Sequence, residues 1–312
     1  MRLSLFVAAV ATLAGSSVNA RRQKLNTGYG PPTLDDSKLR SVLIESKVQN
    51  LDVKPKKPVR ATFQQLIDHN RPSLGTFSQR YWYSDEFYAG PGSPIVLLTP
   101  GEVAADGYEF YATNSTLSGV FAQTNGGAAI VLEHRYYGQS SPYQNLTTET
   151  LQYLTLDQAI QDLVYFAKNV RLPFDPQGSS KPDKAPWILT GGSYPGALAA
   201  WTHDLAPGTF WAYHATSAPV QTKGVFWEYF APVDEALPRN CSADFKRISA
   251  HLQEVLTTAP RNVRHQLKSK FGLEPLADDD FAGALMEPLG VWQDQQFYSG
   301  YGNIFQMCDY IE

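Results

Sequence analysis

The sequence predicts an α/β protein whose sheet is mostly parallel. Three short apolar runs have the length and composition of strands that are buried on both faces: Ile95–Thr99, Ala128–Leu132 and Trp187–Thr190. An amphipathic helix separates the second run from the third, and a further helix and strand follow the third. Because strands that are joined through helices pair in parallel, this order indicates a sheet covered by helices on both faces.

Composition bounds the class of protein. Of the 312 residues, 43% are hydrophobic and 18% are charged, and the formal net charge is −4. A protein of this composition can bury a large core, and it offers no basic face for nucleic acid. Two cysteines exclude a disulfide-dense scaffold and a four-cysteine zinc site. We expect no metal and no cofactor, because the sequence has no H-E-x-x-H motif and no strand followed by G-x-G-x-x-G. The oligomeric state stays open.

The N-terminus predicts secretion. Arg2 precedes the apolar stretch Leu3–Ala14, and Val18-Asn19-Ala20 fits the small-x-small rule for signal peptidase. We interpret residues 1–20 as a signal peptide, because the apolar stretch is too short to span a bilayer. After cleavage we expect a secreted protein without membrane attachment, and a vacuolar or lysosome-like compartment stays open. Residues 21–60, which are rich in Lys and Pro, are predicted to be irregular.

The α/β core is predicted over residues 61–220. Thr76–Tyr83 is aromatic-rich and roughly alternating, as in a strand, and Gly90–Pro94 is a turn signal. Thr155 and Gln158 have the spacing of a capping box at the start of the amphipathic helix. After the third apolar run, the pattern predicts a helix over residues 196–206 and a fourth buried strand over Phe210–Thr216.

The pattern changes after Pro219. No further buried-strand run follows, and residues 243–257, 260–270 and 278–287 predict short helices with charged faces. We interpret residues 221–312 as part of a helical cap inserted into the α/β core.

Residues 187–196 contain the candidate nucleophile. The strand Trp187–Thr190 runs through Gly191 and Gly192 into Ser193, and a helix follows directly. This order is that of the nucleophile elbow of α/β-hydrolases, in which a strained turn exposes the serine hydroxyl. Pro195 stands where the G-x-S-x-G pattern has its last glycine, so this is a variant elbow. The alternative is a glycine-rich turn with a buried structural serine.

Two backbone N–H groups are expected to form an oxyanion hole beside Ser193. One belongs to Tyr194, the residue after the nucleophile, and the other to Gly101 or Glu102, which follow the strand Ile95–Thr99. A plain turn at residues 100–102 is the alternative.

Other segments extend the likeness to a known family. Glu133–Ser140 (EHRYYGQS) follows a strand, Phe77–Trp82 lies in another, and Ser217–Val220, Trp227–Phe230 and Asn240–Ser242 lead into the predicted cap. Together with GGSYPG at residues 191–196, they resemble the lysosomal Pro-X carboxypeptidase and dipeptidyl peptidase family of serine peptidases, secreted fungal members in particular. The resemblance, over residues 60–312, implies an α/β-hydrolase-type peptidase that takes proline-containing peptides as substrates and cleaves after proline. It also implies that Glu133, His134 and Arg135 support the site.

The sequence offers no clear partner for the serine. In α/β-hydrolases the triad acid and histidine follow the nucleophile. Four of the six histidines follow Ser193: His203 lies far along the next helix and points away, and His214 lies in a predicted buried strand. His251 and His265 lie on polar helix faces, where solvated surface is the ordinary role, and Asp278-Asp279-Asp280 is interpreted as a charge cluster at a helix start. We therefore expect the triad Asp and His to be absent from this sequence. The resemblance implies the same, with a C-terminal truncation inside the cap and the last core strands missing.

Two other functions stay open. One is an esterase or a prolyl aminopeptidase on the same fold, because fold alone does not fix the substrate. The other is a secreted, non-catalytic relative that binds peptides or a protein partner, which the expected lack of a general base favours.

Secretion gives meaning to two further features. Asn114, Asn145 and Asn240 begin N-x-[ST] sequons and are predicted glycosylation sites. Cys241 and Cys308 are expected to pair with each other in an oxidising compartment, or either of them with a cysteine outside this sequence.

Overall fold

A computed structural model describes residues 56–295 and 300–312. The predicted signal peptide 1–20 and residues 21–55 of the predicted irregular segment lie outside the described residues. The described residues divide into two compact units, which we call the sheet unit, residues 56–223, and the helical unit, residues 224–295 and 300–312.

The sheet unit contains a six-stranded mixed sheet in the order β1-β2-β4-β3-β5-β6. β1 and β2 form an antiparallel hairpin, and β2 is antiparallel to β4, whereas β4, β3, β5 and β6 run parallel to one another. The strands are β1 Val59–Leu66, β2 Thr76–Ser84, β3 Ile95–Leu98, β4 Ala128–Leu132, β5 Trp187–Gly192 and β6 Ala212–Thr216. The mostly parallel α/β sheet predicted from the sequence is confirmed.

Two strand predictions need correction. The sequence pattern does not predict β1, which begins inside the segment expected to be irregular. It is an edge strand with four exposed residues, three half-buried residues and one buried residue, so its apolar alternation is weak. The strand predicted as buried over Phe210–Thr216 begins at Ala212, and its residues are half-buried or exposed. β6 is the outermost strand of the described sheet, so only one of its edges is paired.

Helices cover both faces of the sheet. They are α1 Leu117–Asn125, α2 Leu156–Asn169 and α3 Tyr194–Leu205, with 3₁₀ turns at Pro72–Leu74, Glu109–Ala112 and Thr150–Tyr153. Alternate residues of β3 belong to different apolar clusters: Ile95 and Leu97 pack with residues of α2 and α3, and Val96 and Leu98 pack with residues of α1. Burial on both faces explains why β3 and β4 are continuous apolar runs.

The predicted capping box at α2 is half formed. The Thr155 hydroxyl accepts the Gln158 N–H at 3.3 Å. The Gln158 side chain does not return to Thr155: its amide donates to Asp68 Oδ1 at 2.8 Å, and its oxygen accepts the His69 N–H at 3.0 Å. Tertiary contacts to the loop after β1 therefore replace the reciprocal half of the box.

The helical unit has its own core. Its helices are α4 Ala231–Ala236, α5 Arg239–Thr258, α6 Arg261–Ser269, α7 Asp278–Met286 and α8 Asn303–Ile311, with 3₁₀ segments at Trp227–Phe230 and Glu287–Asp294. A disulfide between Cys241 and Cys308 joins α5 to α8 and lies in a buried apolar cluster with Ile304 and Met307. Over residues 56–295 and 300–312, no helix combines the length and apolarity needed to cross a bilayer.

Candidate active site

Ser193 lies at the tight turn between β5 and α3. Its backbone has φ 58° and ψ −130°, a conformation that residues with side chains rarely adopt, and the residue is exposed. The Ser193 N–H donates to the Thr216 carbonyl at the end of β6 at 3.0 Å, and its carbonyl accepts the Ala197 N–H at 2.9 Å. Hydrogen bonds on both sides thus hold the strained residue in place.

Strained backbone is concentrated at one edge of the sheet. Among the described residues, positive φ outside glycine occurs at Tyr136, Ser193 and Ser217. These residues follow β4, β5 and β6, at the carboxyl ends of parallel strands, where open α/β sheets bind ligands. Strain of this kind persists where the surrounding structure overdetermines it, and it is typical of functional sites.

Close packing explains the glycines of the turn. A Cβ on Gly191 would lie 2.3 Å from the Pro195 carbonyl, and one on Gly196 would lie 2.7 Å from the Thr216 oxygen. Gly196, one position later than in the G-x-S-x-G pattern, therefore allows the close approach of α3 to the end of β6. Pro195 lies instead beside Gly101 in the loop after β3, where a Cβ on Gly101 would lie 2.7 Å from the Pro195 Cγ.

The loop after β3 contacts the elbow. Gly101 has φ +80°, and a Cβ there would also lie 3.2 Å from Tyr194 Cδ1. The Gly101 N–H donates to Thr99 Oγ1 at 3.3 Å, whereas no hydrogen bond among the described residues uses the Glu102 N–H. Tyr194 is the first residue of α3, so its N–H has no acceptor within the helix. Of the two residues predicted to supply the second oxyanion donor, Glu102 is therefore the one whose N–H is open, that is, without an acceptor among the described residues.

Glu133, at the end of β4, anchors that loop. Its side chain is fully buried, and Oε1 accepts the Ala105 N–H at 2.9 Å while Oε2 accepts the Arg80 Nε–H at 2.8 Å. The Ser140 hydroxyl and the Gln139 N–H donate to the same carboxylate. The hydrogen bond with Glu133 raises the pKa of Arg80 above its ordinary value, and the contact with Asp106 raises it further. One carboxylate thus ties β2, the loop after β3 and the turn after β4 together.

His134 links the end of β4 to Tyr194, the residue after Ser193. Its Nε2 lies 2.8 Å from the Tyr194 hydroxyl, and its Nδ1 lies 2.9 Å from the Arg135 carbonyl. Burial lowers the pKa of His134 and raises the pKa of Tyr194, and the negative charge of Glu102 raises the pKa of Tyr194 further. A neutral imidazole and a neutral phenol therefore face each other beneath the elbow.

Arg135 is fully buried and completely hydrogen-bonded. Its Nε and Nη2 donate to the two oxygens of Asp162 on α2 at 2.7 and 2.6 Å. Nη1 and Nη2 donate to the carbonyls of Leu66, Ile67 and Tyr153. Since all five N–H donors have acceptors, the charge is compensated and Arg135 joins α2 to the loop after β1.

The histidines of the sheet unit do not reach Ser193. His69 Nε2 contacts Asp162 Oδ1 at 2.7 Å, and His134 contacts Tyr194. His214, predicted to lie in a buried strand, is half-buried and contacts Thr190 Oγ1 at 3.2 Å, and His203 is exposed and packs against the Tyr213 ring. Within residues 56–223, no histidine hydrogen-bonds to the Ser193 hydroxyl.

The polar groups of the helical unit have other partners. His251 on α5 and His265 on α6 are exposed. Asp278, at the start of α7, accepts from Lys268 Nζ at 2.8 Å and pairs with Arg264, and the contact with Lys268 lowers the pKa of its carboxyl. The sequon asparagines Asn114, Asn145 and Asn240 are exposed, the first two in the sheet unit.

Sequence reasoning missed the two buried partners of the Glu133–Arg135 segment. Arg80 lies among aromatic residues of β2, and Asp162 lies on α2 between the buried residues Gln158 and Phe166. A charged side chain within a buried stripe is the signal that could have found each of them, since such a charge needs a partner.

Several known proteins are similar to this one in sequence. A family model described as serine carboxypeptidase S28 matches residues 64–311. The chain is similar to serine protease vicPa of Bipolaris victoriae, with 45% identity over 81% of this chain and 47% of that protein. It is also similar to the "Probable extracellular serine carboxypeptidase" of Arthroderma benhamiae, with 32% identity over 70% of this chain and 30% of that protein. The chain thus spans about half the length, or less, of these curated relatives. Among solved structures, an α/β hydrolase from Novosphingobium aromaticivorans is similar over 51% of this chain and 44% of that protein's chain. The two are 16% identical, and the TM-score is 0.33.

Proposed function

Since the chain belongs to the serine carboxypeptidase S28 family, we propose that it supplies the nucleophile and the oxyanion hole of a serine-type peptidase. The observation that carries the proposal is Ser193, an exposed serine with a strained backbone between β5 and the first turn of α3. The contact between Gly101 and Tyr194, with open N–H groups on Glu102 and Tyr194, supports the assignment of the oxyanion donors.

The proposed reaction is acyl transfer. Ser193 Oγ attacks the carbonyl carbon of the scissile peptide bond, and its proton passes to a general base. The carbonyl oxygen becomes an oxyanion that accepts hydrogen bonds from the N–H groups of Tyr194 and Glu102, and the N-terminus of α3 favours its charge. The C–N bond then breaks, the protonated base gives its proton to the leaving amine, and water hydrolyses the acyl-serine.

The general base is the open part of the proposal. His69, His134 and His214 are engaged elsewhere, and we expect neither His251 nor His265 to serve, so the triad Asp and His stay predicted to be absent from this sequence. The test is labelling of the purified protein by a fluorophosphonate, with and without free imidazole as an external base. We expect slow labelling that imidazole accelerates and that Ser193→Ala abolishes, while Ser217→Ala, which removes another exposed strained serine, leaves it unchanged. Labelling that persists in Ser193→Ala would contradict the assignment.

Proline-containing peptides are the proposed substrates. Family membership and the relatives named serine protease and extracellular serine carboxypeptidase support a peptide substrate, and the resemblance of residues 133–140 and 191–196 is what suggests proline. A panel tests it: peptides that end in Pro-Xaa, peptides that begin with Xaa-Pro, and short-chain esters, each with imidazole present. Turnover of the esters alone would favour the esterase alternative. Faster turnover of one peptide class would assign carboxypeptidase or dipeptidyl peptidase mode.

Secretion and glycosylation form part of the same proposal. The extracellular relative and the exposure of Asn114, Asn145 and Asn240 support it. Expression in a fungal host, followed by treatment with an N-glycosidase, should release mass from the secreted protein, and Asn→Gln variants at the three positions assign the sites. An unchanged mass would contradict it.

A non-catalytic, peptide-binding relative is the second candidate. It is favoured by the observation that no histidine of the sheet unit contacts the Ser193 hydroxyl. Binding of a proline peptide without any labelling of Ser193, even with imidazole, would select this candidate.

A further inference from the structure

We propose that His134 is a positioning residue, which sets the spacing of the two oxyanion donors by holding the side chain of Tyr194. The proposal rests on the proposed function of Ser193, Tyr194 and Glu102. It gives a specific role to a buried histidine that has no hydrogen bond to the serine.

The hydrogen bonds fix the tautomer of His134. Its Nδ1 lies 2.9 Å from the Arg135 carbonyl oxygen, which can only accept, so Nδ1 carries the proton. The ring is 6% exposed, and burial favours its neutral form. The Nε2 atom is then an acceptor, and the Tyr194 hydroxyl, at 2.8 Å, donates to it. His134 therefore holds the phenol through one directed hydrogen bond.

The Tyr194 side chain lies between the start of α3 and the loop that carries the other proposed donor. Its own backbone carries one donor, and its Cδ1 would lie 3.2 Å from a Cβ on Gly101, the residue before the other donor. The His134 and Tyr194 ring centroids are 5.5 Å apart. Pro195 lies nearer still to Gly101, with its Cγ 2.7 Å from the same Cβ position. A phenol that is fixed at its hydroxyl end and lies beside Gly101 thus sets, together with Pro195, how far the loop after β3 lies from the start of α3. Oxyanion donors need placement to about 0.5 Å to be effective.

His134 has a rigid support. Its neighbours Glu133 and Arg135 are both fully buried, and each makes at least four hydrogen bonds or ion contacts to different elements. The backbone between them therefore has little freedom, and the imidazole is a fixed point for Tyr194.

The experiment uses five substitutions in the whole chain, three at Tyr194 and His134 and two as controls. Tyr194→Phe removes the phenol and keeps the ring, and His134→Leu removes the acceptor. The matched controls Tyr213→Phe and His214→Gln alter a tyrosine and a histidine of β6. Ring ¹⁵N signals report the His134 tautomer, backbone amide signals report the positions of Tyr194, Gly101 and Glu102, and fluorophosphonate labelling in imidazole reports the function of the site.

We expect a protonated Nδ1 and an unprotonated Nε2 on His134. Tyr194→Phe and His134→Leu should shift all three amide signals and slow the labelling of folded protein about tenfold or more, less than the loss of a whole donor. His134→Gln, whose amide oxygen can accept from the phenol, should recover part of the rate, and the controls should match wild type.

Two results would overturn the proposal. The first is that the amide signals of Gly101 and Glu102 do not move in Tyr194→Phe, and this result overturns the proposal whether or not Ser193 reacts. The second is that Tyr194→Phe and His134→Leu label at a rate within twofold of wild type. Shifted amides in a protein whose Ser193 never reacts would support the positioning by His134 and contradict the proposed nucleophile, so the two failures are distinguishable.

Discussion

Replacing Glu133 by Gln should destabilise the sheet unit far more than Asp106→Asn, although both changes remove a carboxylate from the same arginine. Arg80 Nη2 contacts Asp106 Oδ2 at 2.7 Å, but the Asp106 side chain is 60% exposed, whereas the Glu133 side chain is fully buried. An exposed pair is worth about 0–1 kcal/mol. Breaking a buried pair costs about 3–5 kcal/mol, and in Glu133→Gln the buried Arg80 keeps only the exposed carboxylate of Asp106.

Glutamine has nearly the same shape as glutamate, so the substitution removes the charge and one acceptor without creating a cavity. Its NH2 group would replace one of the two oxygens, so that it faces either the Ala105 N–H or the Arg80 Nε–H and the Ser140 hydroxyl, donor against donor. Urea unfolding, followed by far-UV circular dichroism, measures the difference. With a slope of about 2 kcal/mol per M, Glu133→Gln should lower the midpoint by about 1.5–2.5 M. A Glu133→Gln midpoint as close to wild type as that of Asp106→Asn would refute this view of the buried carboxylate.

Three further predictions concern the disulfide, the elbow and pH. Replacing Cys241 and Cys308 by Ala should destabilise the helical unit by about 4 kcal/mol, because the disulfide closes a loop of sequence separation 67; an unchanged thermal midpoint would contradict this. Gly196→Ala should cost about 2 kcal/mol or more and abolish labelling of Ser193, because a Cβ would lie 2.7 Å from the Thr216 oxygen, while Gly283→Ala, with open space around it, should cost nothing measurable in the same melts. Since the pKa of folded His134 is lowered, the unfolded state binds more protons below about pH 6.5, and stability should fall there by up to about 1.4 kcal/mol per pH unit until the folded pKa is reached. Melts of wild type and His134→Gln at a series of pH values test the sign, and an equal pH slope in both would contradict it.

The central strands of the sheet were predictable because both of their faces are covered by apolar residues. β3 and β4 are buried on both faces, so their apolar runs identify them without knowledge of their partners. β1 was not predicted, and β6 was predicted as a strand but with the wrong start and burial, since each is an edge strand whose burial depends on which neighbour it has. The elbow was predictable for a similar reason: the glycines around Ser193 are required by close approach, and that requirement is visible in the sequence.

The support beneath the elbow could be predicted only in part. The EHRYYG segment was singled out by resemblance, but the partners of its charged residues come from β2 and α2, far away in the sequence. Arg80 and Asp162 have no motif, because their spacing is set by tertiary packing. Nor does the sequence distinguish Glu102 from Gly101 as the second donor, since the difference depends on the Thr99 side chain, which accepts the Gly101 N–H.

The most direct test of the account is peptide mapping of the adduct that a fluorophosphonate forms with the full-length protein in the presence of imidazole. We expect the adduct on Ser193, with the exposed Ser217 unmodified under the same conditions. An adduct spread over exposed serines, or none on Ser193, would contradict the assignment of Ser193 as a nucleophile.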